Sequence, residues 1–164
     1  MDKVRWFAGI ETCVVIPQDT ILTAVWTQLN SHTGLRSILG ATGRVVKGAK
    51  RPDALPNPVI TVQMPVAVMA AGTWHGTNAL RRTLTEPIYI AVFVDNVPNG
   101  AIDVTTLSTI CANIGTIAAT AKPVVTGATV HQIGQYVETG PLYDPQDPNE
   151  AYRVITMGYW ISET

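Results

Sequence analysis

The stretch Ile88-Tyr89-Ile90-Ala91-Val92-Phe93-Val94 is apolar at every position. β-Branched and aromatic residues fill it, so it reads as a strand, and apolar side chains on both faces mean that both faces are covered. Extended back to Arg81 it is the strongest strand expected in the chain, and a central one. Turn residues follow in Asp95-Asn96-Val97-Pro98-Asn99-Gly100. Asp103 then stands as N-cap of a helix over 103–120, where Leu107, Ile110, Ile114 and Ile117 recur at spacings of 3, 4 and 3. Lys122-Pro123 ends it.

Upstream of the central strand, Val59-Ile60-Thr61-Val62-Gln63-Met64 is a second strand, launched by Pro56-Asn57-Pro58. Val66 to Ala71 is expected to continue it past Pro65, and Gly72 to Asn78 to form a loop. Before these, the basic stretch 40–58 carries Arg44, Lys47, Lys50 and Arg51, with a short edge strand at Arg44-Val45-Val46. A first helix is expected over about 20–30, capped by Asp19, with Ile21, Leu22, Val25, Trp26 and Leu29 at helical spacing. Gly34 is expected to close it in the left-handed region, followed by one more turn over 35–40. Residues 1–18 read as an N-terminal arm.

Two alternating strands close the chain, Thr129 to Glu138 and Ala151 to Ile161. Between them, Thr139 to Glu150 holds Pro141, Pro145 and Pro148 with Asp144, Asp147 and Glu150, which reads as a projecting loop. The order is helix, strand, strand, helix, strand, strand. The expected fold is therefore α+β: a largely antiparallel four- to five-stranded sheet with two main helices packed on one face, forming a single domain over 19–164.

Composition narrows the function. Charged residues are 14% of the 164-residue chain, against about 25% in a typical domain. Such a surface suits burial against neighbours. The net charge of −1 argues against a sequence-specific nucleic-acid binder or a membrane-surface protein. Its distribution is uneven: residues 1–82 carry nine Lys/Arg and four Asp/Glu, whereas residues 83–164 carry two and eight. Opposite signs on two surfaces would orient head-to-tail contacts between copies. Cys13 and Cys111 both lie among apolar residues and read as small buried hydrophobes. No window holds 18 uninterrupted apolar residues and no apolar core follows Met1, so neither a membrane span nor a signal peptide is expected.

No reaction centre emerges. Gly43 to Lys50 lacks the lysine and hydroxyl residue that a phosphate-binding loop places after its second glycine. His32, His75 and His131 are scattered without metal-ligand spacing. Asp144, Asp147 and Glu150 read as a solvated acidic loop rather than a cation site, and Trp74-His75 with Arg81-Arg82 is too little for a stacking groove. Neither a catalytic residue, a cofactor site nor a metal site is expected.

The layout resembles the tail-terminator (tail-completion) proteins of long-tailed bacteriophages. The resemblance spans about residues 19–162. It rests on the helix Thr20 to Leu29 and the turn Gly34-Leu35-Arg36-Ser37-Ile38-Leu39-Gly40. Arg44-Val45, Leu55-Pro56-Asn57-Pro58-Val59-Ile60-Thr61-Val62, the central strand Ile88 to Val94 and the closing strand Tyr152 to Ile161 complete it. The arm before Asp19 and the long 65–82 segment depart from that family's compact pattern. The resemblance implies a virion tail or neck protein, assembled in the host cytoplasm. It would form a ring, commonly a hexamer, that caps the tail tube and docks to the head-side connector protein. Other readings are a different neck, connector or tail subunit, and a cellular α+β ligand-binding module. Segments 65–82 and 139–150 are the expected contact loops because of their length, with Trp74, His75, Arg81, Arg82, Leu142, Tyr143, Asp144, Asp147 and Glu150 as interface residues.

Overall fold

The computed structural model describes residues 18–48, 50–63, 73–75, 79–83, 88–97, 101–138, 142–144 and 147–163. The expected N-terminal arm with Cys13, the continuation through Val66–Ala71 and the tip residues Pro141 and Pro145 lie outside them.

Among the described residues the chain is α+β, with three helices and ten strands. Helix α1 (Gln18–Ser31) leads into α2 (Thr33–Leu39), and α3 (Val104–Thr120) follows the central strand. The strands are β1 (Val45–Lys47), β2 (Val59–Gln63), β3 (Thr73–His75), β4 (Ala79–Thr83), β5 (Ile88–Val97), β6 (Ala101–Ile102), β7 (Val124–Val125), β8 (Ala128–Glu138), β9 (Leu142–Asp144) and β10 (Asp147–Glu163).

The expected cap of α3 is in place: Asp103 Oδ1 accepts from the Thr106 amide at 3.0 Å, and Leu107, Ile110, Ile114 and Ile117 are buried. Those hydrogen bonds, first the Thr106 side chain and then its amide, hold the Asp103 carboxyl below its usual range. The first helix differs at both ends. Asp19 lies within the first turn of α1 and does not precede it. Gly34 lies inside α2, which His32 caps by accepting from the Leu35 amide at 3.3 Å. The left-handed residue is Gly40, at φ 73°. Sequence spacing places a break near 31–34 but cannot tell a C-terminal glycine from a glycine required by packing. At Gly34 a Cβ would come within 3.0 Å of His32 Cε1 and 3.2 Å of Asn113 Oδ1 on α3, so this glycine allows α2 to approach α3.

The sheet is larger than the four or five strands expected, and one pair in it is parallel. Its main path is β1-β2-β5-β10-β4-β3. β2 and β10 flank β5 as antiparallel neighbours, which makes β5 central as its composition requires. β10 organises the rest. β5 and β8 both pair with Ile155–Met157 of β10, so they occupy opposite edges of it. β4 and β8 both pair with residues 160–163, so β4 follows β5 along one edge. β9 shares Ala151 and Tyr152 with β5, so it precedes β8 along the other. The described parts of the expected strand from Arg81 to Val94, β4 and β5, lie one after the other on one edge of β10, and residues 84–87 lie outside the described residues.

Both edges change register at the same place. Along one, the chain advances from Thr83 to Ile88 while β10 moves only from Trp160 to Met157. Along the other, Gly134 and Gln135 are extra between the partners of Met157 and Gly158. Gly134 and Gln135 are therefore two surplus residues on the β8 edge, and bulges of this kind bend and twist a sheet. Gly158, which adds no side chain at the break, is suited to that bend.

Residues of alternate parity separate the two faces of the sheet. Ile60 and Val62 (β2), Ile88, Ile90, Val92 and Val94 (β5), and Ala151, Ile155 and Met157 (β10) join Ile21, Val25 and Leu29 of α1, Leu35 and Leu39 of α2, and the apolar row of α3 in one core. Cys111 is part of it, as its apolar neighbours imply. Tyr159 is also there, and burial pushes its phenol well above the usual range. On the other face, Val59 and Thr61 are fully buried, and the Phe93 and Tyr152 rings lie 5.4 Å apart. Thr61 Oγ1 is buried with no hydrogen-bond partner among the described residues. Because an unsatisfied buried hydroxyl costs about 1–3 kcal/mol, Thr61→Val is expected to stabilise the domain by an amount in that range. Urea unfolding checks this, and a loss of stability would mean that the hydroxyl is paired.

Candidate assembly surfaces

The residues expected at interfaces fall into two groups at opposite ends of β10. In one, β3 pairs with β4 so that Thr73 stands across from Arg81, Trp74 from Leu80 and His75 from Ala79. The expected loop at 72–78 therefore contains a strand, too short to be read from three residues. β4 in turn pairs with β10 at Arg82↔Ile161 and Arg81↔Ser162. In the other group, β9 folds back on the start of β10, with Asp144 opposite Asp147, Tyr143 opposite Ala151 and Leu142 opposite Tyr152. Within the expected projecting loop at 139–150, the described residues 142–144 and 147–150 lie in strands. Along β10, eight residues separate Tyr152 from Trp160, roughly 26 Å of strand, so the two groups do not meet.

Glu150 leaves the second group. It is buried at 6% exposure and forms an ion pair with Arg51. Its Oε2 also accepts from Asn57 Nδ2 at 3.1 Å, and the same nitrogen donates to Asp95 Oδ1 at 2.9 Å. These groups line a cleft of about 300 Å³ with Asp53 and Pro56. The partner of Glu150 lies 99 positions earlier, which no local pattern signals.

The basic stretch is committed in a similar way. Arg44 donates to the carbonyls of Pro56 and Pro58. Arg51 Nη1 donates to Leu55 O at 2.6 Å. Lys47 Nζ donates to Thr23 Oγ1 at 2.7 Å and sits 5.2 Å from the centre of the Trp26 ring, whose Nε1 donates to Val45 O at 2.8 Å. These are tethers between α1, β1 and the connection into β2. His131 Nε2 lies 3.3 Å from Ser162 Oγ. No group of three His, Cys, Asp or Glu side chains converges on a metal-sized site among the described residues, and no described helix is long and apolar enough to cross a membrane.

A second cleft had no sequence signal beyond a hydroxyl stripe. Thr20, Thr23, Thr27 and Ser31 run along one face of α1, facing Lys122 and Val124 across an open groove of about 450 Å³. Val124 is 88% exposed, and Gln28 Nε2 closes one side by donating to Ala121 O at 2.9 Å.

No family model and no curated protein matches the chain. Among solved structures it is similar to a chain of the virion of native gene transfer agent (GTA) particle. The TM-score is 0.57 at 14% identity, over 87% of this chain and 94% of that one. The two chains share a fold. Since the overlap takes in nearly the whole of both, the shared part includes the sheet and not only one helix pair.

Proposed function

We propose that this chain is a structural protein of a phage-like particle, and within that class a tail terminator. The observation that carries the reading is the fold shared with a chain of the gene transfer agent virion, across nearly the full length of each. The low charge content and the division of charge between the two halves of the sequence support it, because both suit a subunit that buries surface against copies of itself. In this reading copies form a ring, commonly a hexamer, on the last ring of the tail tube, stop its growth and present a surface to the head-side connector. It acts in the virion tail or neck after assembly in the host cytoplasm. It works by contact alone, without turnover, cofactor or metal. α1 and α3 both cover the Ile90 face of the sheet, which leaves sheet edges and hairpins for neighbours. This placement is supported by the single core that joins them.

The test is particle mass by light scattering across a concentration series, with negative-stain images of the same fractions and of purified tail tubes after mixing. Rings of about sixfold symmetry, or a cap seen on tube ends, are the expected results. A chain that stays monomeric and leaves the tube ends bare would sink the proposal.

A further inference from the structure

We propose that Trp26 and Lys47 hold the β1 edge of the sheet closed, in the place that a strand of a second copy would otherwise take. The inference goes beyond the ring reading and stands whether or not copies close into a ring. β1 ends the main path of the sheet, with β2 as its one strand neighbour among the described residues. The ladder to β2 uses alternate peptide groups of β1. Ile60 N donates to Arg44 O at 2.8 Å and Gly48 N to Val62 O at 3.0 Å, with Val46 opposite Thr61 between them. In a parallel ladder of that phase the N–H and C=O groups of Val45 and Lys47 point away from β2. A row of outward groups is a template for another strand. Left open, it lets copy add to copy, and contacts of that kind that do not close give filaments.

α1 blocks this row with two side chains, and β1 adds a third. Trp26 Nε1 donates to Val45 O at 2.8 Å, so the first outward carbonyl is already taken and the indole stands where a partner strand would lie. Lys47 Nζ sits 5.2 Å from the centre of the same ring and donates to Thr23 Oγ1 at 2.7 Å. Thr23 and Trp26 are three residues apart on α1 and so share one face of the helix, which holds both ends of the clasp. Val45 is only 3% exposed although its strand is outermost, whereas Lys47 is exposed. The shield at Val45 is therefore steric. At Lys47 it is the ammonium, which an added strand would have to strip of water. In sequence Trp26 reads only as one member of the apolar stripe of α1; its hydrogen bond to a strand edge shows in the fold alone.

The test compares two full-length variants that differ at position 47 alone: Trp26→Phe with Lys47→Val, and Trp26→Phe with Lys47→Pro. Phenylalanine keeps an apolar ring and lacks the indole N–H. Proline lacks the outward amide that an added strand needs, and it breaks no bond to β2 because that amide faces away from it. Light scattering over a concentration series is run on both beside wild type, with circular dichroism to confirm folding. The valine form is expected to reach about twofold or more of the wild-type mass, the least that one added pairing gives. Its amides at positions 45 and 47 should exchange more slowly as it associates. The proline form should keep the wild-type mass. Wild-type mass in both forms would overturn the proposal. Association of both would also overturn it, since the loss of Trp26 would then expose the core and not the edge. Unchanged exchange at positions 45 and 47 in an associated valine form counts against it equally, and that readout does not depend on the proline. A monomeric or a ring-forming wild type alters only the baseline, so the ring reading is tested separately.

Discussion

Replacing Ile90 with alanine lowers the unfolding free energy by about 2–5 kcal/mol, the range for deleting a fully buried branched side chain from a packed core. Ile90 is 0% exposed. It stands at the middle of β5, across from Val62 on β2 and Ile155 on β10, and all three belong to the core shared with the helices. Neighbours held by strand ladders on both sides have little freedom to collapse into the space left behind, which places the expected cost in the upper half of the range. Urea denaturation should show a lower midpoint at an unchanged slope. The matching control is Val124→Ala, at an 88% exposed position, which should change stability by no more than about 0.5 kcal/mol. A cost below about 1 kcal/mol for Ile90→Ala would mean that this row is not the packed interior its burial indicates.

The same residue shows why this part of the fold was legible. Seven consecutive apolar residues around Ile90 have only one economical placement, a central strand, and β5 occupies it. The apolar rhythm and the Asp103 cap of α3 are equally local, and both are found as read. What was missed depends on chain segments far apart in sequence. β3, β7 and β9 have two or three residues each, too few for a period-two pattern, and exist because a longer neighbour supplies the ladder. The two-residue surplus opposite Gly158 became visible only from the register between β8 and β10. Among the site residues, loop length drew attention to the 139–150 stretch, and its acidic residues looked alike in sequence. Sequence alone could not separate Asp144 and Asp147, paired in register between β9 and β10, from Glu150, which is buried against Arg51.

That ion pair makes the second large prediction: Arg51→Ala destabilises the domain by about 3–5 kcal/mol, because it strands a buried carboxylate. The reason lies in topology. β1 and β2 are parallel neighbours joined by residues 48–58, whose described members form neither helix nor strand. Parallel pairs ordinarily use a crossover of a dozen or more residues with a helix to cover it, so this short connection lacks the apolar packing that would hold it. Its anchors are polar instead: Arg51 to Glu150 and Leu55 O, Asn57 to Glu150 and Asp95, and Arg44 to Pro58 O. The Glu150 side chain is 8% exposed and that of Arg51 19%, so water does little to compensate either charge alone. Exchanging both for apolar residues, Arg51→Met with Glu150→Leu, removes the stranded charge and should recover most of the loss. The double-mutant cycle is therefore expected to give a coupling of about 1.5–3 kcal/mol, well above that of an exposed pair. Amide exchange separates a local from a global effect. Faster exchange at Val45–Lys47, with β5 protected as in the wild type, would place the loss in the β1 connection. A double variant no more stable than Arg51→Ala would show that the pair's geometry, and not its uncompensated charge, holds the connection in place.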